Sequence, residues 1–297
     1  MNNHLIIAKG LLDYLPIMNI LPMPLPVSNR HLFRSRGFEL DSDLTPKLWT
    51  RIVRFLSDRD ILNLCSCSHY FWKLIHEVEF TTKVNISQIM GLSYYDSFVN
   101  IECGCYIRIL PAKLRYLDWQ SDVPLPETPN SLTFLKLSRN CRCGLFLLPN
   151  SLTHLQLGYD YDQDLPSLPN SLTYLSLGHQ YNRKLLSLPD SLTYLILGAE
   201  YDQDLPWFPN SIKYLKFGYN FNRLLARLPE NLINLHLGFH YNQFLPPLPD
   251  SIECLELGYR FGKPIYNIPS SLKHLIITRN IQLPIGLHPN VKITCRF

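Results

Sequence analysis

Proline and apolar residues recur along this chain at a fixed interval of twenty residues. Nine prolines share the spacing: Pro129, Pro149, Pro169, Pro189, Pro209, Pro229, Pro249, Pro269 and Pro289. We number each repeat from its proline as position 0. Positions 3, 6 and 8 then carry Leu, Ile or Phe in every repeat from Pro129 to Pro269. A constant period of this length predicts a solenoid, in which stacked coils bury a shared core.

Each coil is predicted to carry one short strand. Positions 6 and 8 are apolar, and the residues between and before them form a second set at positions 5 and 7, which is the period-two alternation of a β-strand. A glycine at position 9 ends the strand in six repeats, from Gly158 to Gly258. We expect these glycines to adopt a positive φ or a tight turn. We expect the proline at a central position of a type I turn, outside the strand ladder.

The repeat sets the predicted domain boundaries. Residues 111–288 form the solenoid, whose first coil is two residues short, and residues 289–297 form a C-terminal cap. Residues 80–110 are interpreted as a linker or a degenerate first coil. Residues 1–40 are interpreted as a flexible arm, because Asp13 and Pro16 interrupt the apolar stretch "LLDYLPIMNILPMPLP", which therefore predicts neither a signal peptide nor a membrane span.

The repeat unit resembles a known family. The spacing L-x-x-L-x-L is similar to the leucine-rich repeat, although the Asn expected three residues after the last Leu is absent. The longer unit "YNQFLPPLPDSIECLELG" (241–258) resembles the FNIP repeat, a relative of the leucine-rich repeat abundant in slime moulds and giant DNA viruses. The resemblance implies leucine-rich-repeat-like coils with one parallel strand each.

A second resemblance lies at residues 44–75, "LTPKLWTRIVRFLSDRDILNLCSCSHYFWKLI". Thr45 and Pro46 form an N-cap followed by a proline at the first helical position, and three short helices are predicted within residues 41–79. This segment resembles an F-box. The resemblance implies that the helices dock a Skp1-like adaptor through Leu44, Pro46, Leu48, Ile52, Leu56 and Leu62.

Composition narrows the function classes. A net charge of +4 with scattered basic residues predicts no nucleic-acid partner. Eight cysteines without a secretory signal indicate a reducing, intracellular setting. We expect the Cys-x-Cys pairs to be structural thiols and not zinc ligands, because two of the pairs lie two coils apart. No motif for an enzyme or a cofactor is recognised: Ser151 and His154 each belong to a column that recurs in neighbouring coils.

The strand face at positions 5 and 7 points away from the predicted core. The aromatic residues on this face have two explanations: they stabilise the sheet by cross-strand packing, or they anchor a protein partner. The candidate partner-binding residues are Phe134, His154, Tyr174, Tyr194, Tyr214, Lys216, His236 and His274.

Two functions follow from these patterns. In the first, an F-box docks Skp1 and the solenoid holds an unknown target protein for a Skp1-cullin-F-box ubiquitin ligase; a viral member would act in the host cytoplasm. In the alternative, the chain is a binding or structural scaffold unrelated to ubiquitin, and its helices only cap the solenoid.

Overall fold

The computed structural model describes residue 49 and residues 52–67, 69–277 and 287–295. The chain divides into two compact units, Met1–Thr82 and Lys83–Phe297. The described part of the first unit is helical, and the second unit is a parallel β-solenoid.

The first unit contains helix α1 (Asp58–Cys67), helix α2 (His69–Lys73) and two 3-10 turns, Val53–Phe55 and Ile75–Glu77. Ser57 caps α1, since its Oγ accepts a hydrogen bond from the Asp60 backbone N–H at 3.2 Å. The rings of Trp49 and Phe71 lie 5.1 Å apart, and Ile61, Cys65 and Ile75 are buried with them. These side chains form the core of this unit.

The second unit is built on one sheet of twelve parallel strands, in which each strand pairs with its neighbours in sequence. The strands are β1 (Val84–Asn85), β2 (Asn100–Cys103), β3 (Tyr116–Trp119), β4 (Phe134–Leu137), β5 (His154–Gln156), β6 (Tyr174–Ser176), β7 (Tyr194–Ile196), β8 (Tyr214–Lys216), β9 (Asn234–His236), β10 (Cys254–Glu256), β11 (His274–Ile277) and β12 (Lys292–Cys295). From β4 to β11 the paired residues are twenty apart in sequence, as Leu175 and Leu195 are. The predicted solenoid of twenty-residue coils is confirmed.

Leucine columns and an aromatic column fill the core. Leu155, Leu175 and Leu195 at position 6 are fully buried, as are the rings at position 12, which are Tyr161, Tyr181, Tyr201, Phe221, Tyr241 and Phe261. Successive rings of this inner column stack with centroids 6.1–6.3 Å apart. Burying each such side chain contributes about 1.5–3 kcal/mol. Every coil therefore adds stability both from its leucines and from its position 12 ring.

Serine hydroxyls connect each coil to the one before it. Ser171 Oγ donates to the Leu152 carbonyl at 2.7 Å, and Ser191 Oγ donates in the same way to the Leu172 carbonyl at 2.7 Å. Position 2 makes this contact in seven of the repeats. The bond satisfies a carbonyl at the corner of the coil that the strand ladder does not reach.

Asparagine and aspartate side chains form a second connection at position 13. The backbone N–H of Asp202 donates to Asn182 Oδ1 at 3.0 Å, and that of Asn222 donates to Asp202 Oδ1 at 3.1 Å. The same contact recurs from Asp162 to Gly262. In the leucine-rich repeat, an Asn column stands three residues after the last Leu, which is position 11 here. This protein lacks that column, and its corresponding ladder of side-chain bonds lies at position 13, beside the buried rings.

The prolines occupy a different turn position from the one predicted. The Leu172 N–H donates to the Pro169 carbonyl at 3.0 Å, so Pro169 is the first residue of the turn, and Asn170 and Ser171 are its central residues. The prediction that the proline occupies a central position of the turn is wrong. With Pro169 first, Ser171 is the third residue of the turn, and from there its hydroxyl reaches the Leu152 carbonyl of the preceding coil.

The position 9 glycines are required by a close approach between coils. The prediction of a positive φ is wrong: among the described glycines only Gly91 has one, at 89°. The tight turn is confirmed for five of the six glycines, as at Gly178, whose carbonyl accepts from the Tyr181 N–H at 3.2 Å; Gly218 begins a bend without this hydrogen bond. A Cβ at Gly198 would lie less than 3.0 Å from the carbonyl oxygen of Gly178, a separation that real Cβ atoms do not show.

We predict that Gly198→Ala destabilises the solenoid by about 1–3 kcal/mol, because the new methyl group forces two backbone segments apart. Gly144→Ala is the matched control, since a Cβ there has no neighbour within 4 Å. Chemical denaturation of both variants checks the prediction. Equal midpoints for the two variants would show that the coils separate without cost.

We predict that Tyr181→Phe stabilises the protein. The Tyr181 hydroxyl is buried without a hydrogen-bond partner, and burial raises its pKa. An unsatisfied buried hydroxyl costs about 1–3 kcal/mol, and Phe221 and Phe261 show that the column accepts phenylalanine. Tyr161→Phe is the control, because its hydroxyl accepts from the Leu145 N–H at 3.4 Å. A thermal melt should place Tyr181→Phe above wild type and Tyr161→Phe at or below it; the reverse order would contradict this account.

Candidate protein-binding surface

The outward face of the sheet carries a continuous stack of rings, which we call the outer ladder. It consists of the position 5 side chains from β3 to β8: Tyr116, Phe134, His154, Tyr174, Tyr194 and Tyr214. Adjacent centroids are 5.4–6.1 Å apart. The strand pairing produces this stack, because residues at the same position of parallel neighbours lie side by side.

The ladder is both packed and accessible. Tyr194 is 46% exposed and Tyr116 is 47% exposed, whereas Phe134, His154 and Tyr174 are half-buried between their neighbours. Desolvation of the half-buried hydroxyl raises the pKa of Tyr214 further above its ordinary value, which already keeps the phenol protonated at neutral pH. A row of rings held by a rigid sheet and open on one side can anchor a protein partner.

The ladder changes position after β8. Asn234 occupies position 5 of β9, and the ring of His236 at position 7 takes over the contact, with its centroid 5.0 Å from that of Tyr214. His236 Nδ1 lies 2.6 Å from Glu256 Oε2, and both side chains are largely covered. His236 is therefore fixed between a ring and a carboxylate.

The remaining predicted surface residues lie beside or beyond the ladder. Lys216 is exposed on β8, two residues from Tyr214 on the same face. His274 is exposed on β11, three strands further along the sheet. The structure thus brings six of the eight predicted residues into one line, places Lys216 at its edge and separates His274 from it.

Charged side chains border the ladder at the first strands. Lys83 Nζ lies 2.7 Å from Asp118 Oδ2 and 2.8 Å from Glu102 Oε2, and Lys136 Nζ lies 3.5 Å from Asp118 Oδ2. The hydrogen bonds that Lys83 donates to the carboxylates of Asp118 and Glu102 raise the pKa of Lys83. The two lysines and the two carboxylates balance one another in charge at this edge of the face.

Three of the predicted Skp1-binding residues, Leu44, Pro46 and Leu48, lie outside the described residues. In the first unit Ile52, Leu56 and Leu62 are half-buried. Phe55, which the sequence analysis did not select, is 75% exposed next to Leu56. Phe55 lies at helical spacing from Ile52, in the 3-10 turn Val53–Phe55, but it is not among the residues that the F-box resemblance selected.

The cysteines considered for zinc make local contacts. Cys141 Sγ and Cys143 Sγ are 3.0 Å apart, and the hydrogen bond between these buried thiols lowers the pKa of Cys143 to about 7. Cys103 Sγ donates to the Cys105 carbonyl at 3.4 Å. Within the described part of the chain, no three His, Cys, Asp or Glu residues cluster as a metal site would need.

The Ser and His residues considered for catalysis serve the coil. Ser151 Oγ donates to the Leu132 carbonyl at 2.6 Å, and His154 Nδ1 lies 2.9 Å from Thr153 Oγ1. The serine contact recurs at the same position of neighbouring coils. Among the described helices, none reaches the length and apolar character that a membrane span requires.

The architecture and ring columns define a leucine-rich-repeat-like solenoid, and comparisons with known proteins agree. The FNIP repeat model matches residues 146–180, 161–200, 201–228 and 241–280, which confirms the FNIP resemblance over these ranges. No curated protein matches the sequence.

Two solved structures share the fold. The crystal structure of CroV588, described as a novel circular LRR protein structure, is 30% identical with a TM-score of 0.56 and covers 67% of this chain and 37% of its own. YopM from Yersinia enterocolitica WA-314 is 24% identical with a TM-score of 0.55 and covers 67% of this chain and 46% of its own. The chain therefore spans less than half the length of either protein.

Proposed function

We propose that this protein captures a target protein on the outer ladder and that its N-terminal helices link the target to a Skp1-like adaptor of a ubiquitin ligase. Leucine-rich-repeat-like solenoids generally bind protein partners. The observation that carries the proposal is the row of stacked rings from Tyr116 to Tyr214 on a rigid, open sheet face.

The central part of the ladder suits a partner surface. Tyrosine supplies a large contact area at a small cost in conformational entropy, and its hydroxyl adds a directional hydrogen bond. Tyr174, Tyr194 and Tyr214 are already held by stacking, so binding costs little further ordering of these side chains.

The adaptor half of the proposal is supported by the resemblance of residues 44–75 to an F-box and by the apolar surface of the first unit. Phe55 and Trp72 are 75% and 42% exposed. Large apolar side chains at the surface of a small helical unit favour a protein contact.

We predict that replacing Tyr174, Tyr194 and Tyr214 together by Ala reduces target capture by about tenfold or more. The control is a triple alanine variant of Leu186, Trp207 and Leu224, which are 82%, 78% and 73% exposed away from the strands. Affinity capture with quantitative mass spectrometry compares both variants with wild type, and circular dichroism shows that each is folded. Equal capture by the two variants would refute the ladder as the binding surface.

We predict that the wild-type chain binds purified Skp1 and that Leu56→Glu weakens this binding at least about tenfold, because a charge enters an apolar contact. Leu186→Glu, in the solenoid, should leave binding unchanged. Isothermal titration calorimetry measures the affinities. A wild-type chain that does not bind Skp1, yet captures its target through the outer ladder, would establish the alternative of a scaffold without a link to ubiquitin.

A further inference from the structure

A second ring column lies on the surface at position 10, directly after the position 9 glycines. Its members are Arg139, Tyr159, His179, Ala199, Tyr219, Phe239 and Tyr259. The rings of Tyr159 and His179 stack at 4.2 Å, those of Tyr219 and Phe239 at 4.6 Å, and those of Phe239 and Tyr259 at 4.9 Å. We call this the position 10 column; it is separate from the outer ladder, which lies on the strands.

Ala199 interrupts the column between two stacked groups. Backbone bonds hold the three coils at this point, since the Glu200 N–H donates to the His179 carbonyl at 2.9 Å and the Asn220 N–H donates to the Ala199 carbonyl at 2.8 Å. Coils paired by a parallel sheet are about 4.8 Å apart, so His179 and Tyr219 stand about two spacings from each other. A planar group above Ala199 would lie about 5 Å from each ring, close to the stacking distances in the rest of the column.

The protein contains its own comparison for this gap. Residues 159–166 read "YDYDQDLP" and residues 199–206 read "AEYDQDLP", so the two segments differ only at positions 10 and 11. The backbone that carries Tyr159 in one coil therefore carries Ala199 in the other. The missing ring is a change of side chain, and the coil geometry is compatible with a filled column.

The chemistry of the column favours a guanidinium group as the occupant. The guanidinium carbon of Arg139 lies 4.6 Å from the centroid of the Tyr159 ring, so the column already stacks an arginine at its first coil. Arg142 pairs there with Asp160 at position 11, with Arg142 Nη2 and Asp160 Oδ2 3.7 Å apart. The coil with the gap also carries a carboxylate at position 11, the exposed Glu200, which is the counterpart of Asp160.

We propose that the gap above Ala199, between His179 and Tyr219, binds an arginine side chain of a protein partner. The two rings receive the planar cation on both faces, at distances within the ~6 Å range of cation–π contacts. Glu200 Oε2 accepts a hydrogen bond from Asn220 Nδ2 at 2.6 Å, which holds the carboxylate beside the gap. Its negative charge attracts arginine and repels a phosphate-bearing nucleotide.

The arginine site and the proposed function have one feature in common, which is that the ligand of each is a protein. The arginine site uses different residues, and a small probe tests it without any target or adaptor. Loss of capture by the outer-ladder variant would leave this site intact, and a failed probe titration would leave the outer ladder intact.

The first test asks whether the gap has room for a ring. Ala199→Tyr restores the residue found at position 10 of the matching coil, and Ala199→His restores that of the preceding coil. We expect melting temperatures equal to or above that of wild type for both variants. Lower melting temperatures for both would mean that the neighbouring rings already close the gap, which would overturn the proposal.

The second test measures binding of N-acetyl-L-arginine amide to the full chain by NMR at pH 8. We expect a dissociation constant on the order of 10 mM, read from the His179 ring signal, which the His179→Gln variant identifies. Ala199→Tyr should abolish the binding, and Glu200→Gln should weaken it several-fold.

N-acetyl-L-lysine amide, N-acetyl-L-tryptophan amide and adenosine monophosphate serve as competitors of different chemistry. We expect each to bind more weakly than the arginine amide. No shift with the arginine amide, equal shifts in the Ala199→Tyr variant, or tighter binding of tryptophan amide or the nucleotide would each overturn the assignment to arginine.

Discussion

The distance between neighbouring coils at position 9 is the constraint on which the rest of the solenoid depends. At this point the backbone of one coil meets the carbonyl of the coil before it so closely that only glycine fits, as at Gly178 and Gly198. The strand pairing sets the same spacing on one side, and the Ser and Asx side-chain bonds set it at the corners. Since all these contacts share one spacing, each residue lies beside its counterpart in the next coil.

This alignment produces three ring columns with different environments. The inner column at position 12 is fully buried and contributes stability through apolar burial. The outer ladder at position 5 has the same repeating geometry but leaves one side of Tyr194 open. Of the three columns, the position 10 column contains the most exposed ring, that of Tyr219, which is 49% exposed. A single mechanism of alignment therefore yields both the core and the surfaces available to partners.

The sequence pattern was sufficient for the coil and its faces, because burial follows directly from the period. Leu175 faces inward and Tyr174 outward as alternation requires. The pattern was insufficient where a residue's role depends on a neighbouring coil. The sequence predicted that Gly198 is needed for its backbone conformation, whereas the structure shows that it is needed because a Cβ would clash with the preceding coil. The sequence predicted a central turn position for Pro169, whereas it is the first residue of the turn. The F-box interpretation stays a prediction, since Leu44, Pro46 and Leu48 lie outside the described residues.

Because each residue lies beside its counterpart in the next coil, a residue that differs from the rest of its column is more informative about function than one that matches it. In a column where every coil supplies a ring, the repeated residue reports the packing, and its recurrence is what the sequence pattern detects. Ala199 departs from such a column while its backbone bonds to both neighbouring coils are kept. The departure changes the surface without changing the fold. In a solenoid held by one spacing, specific recognition is therefore expected at positions that break a column, and the unbroken columns supply the support that such positions need.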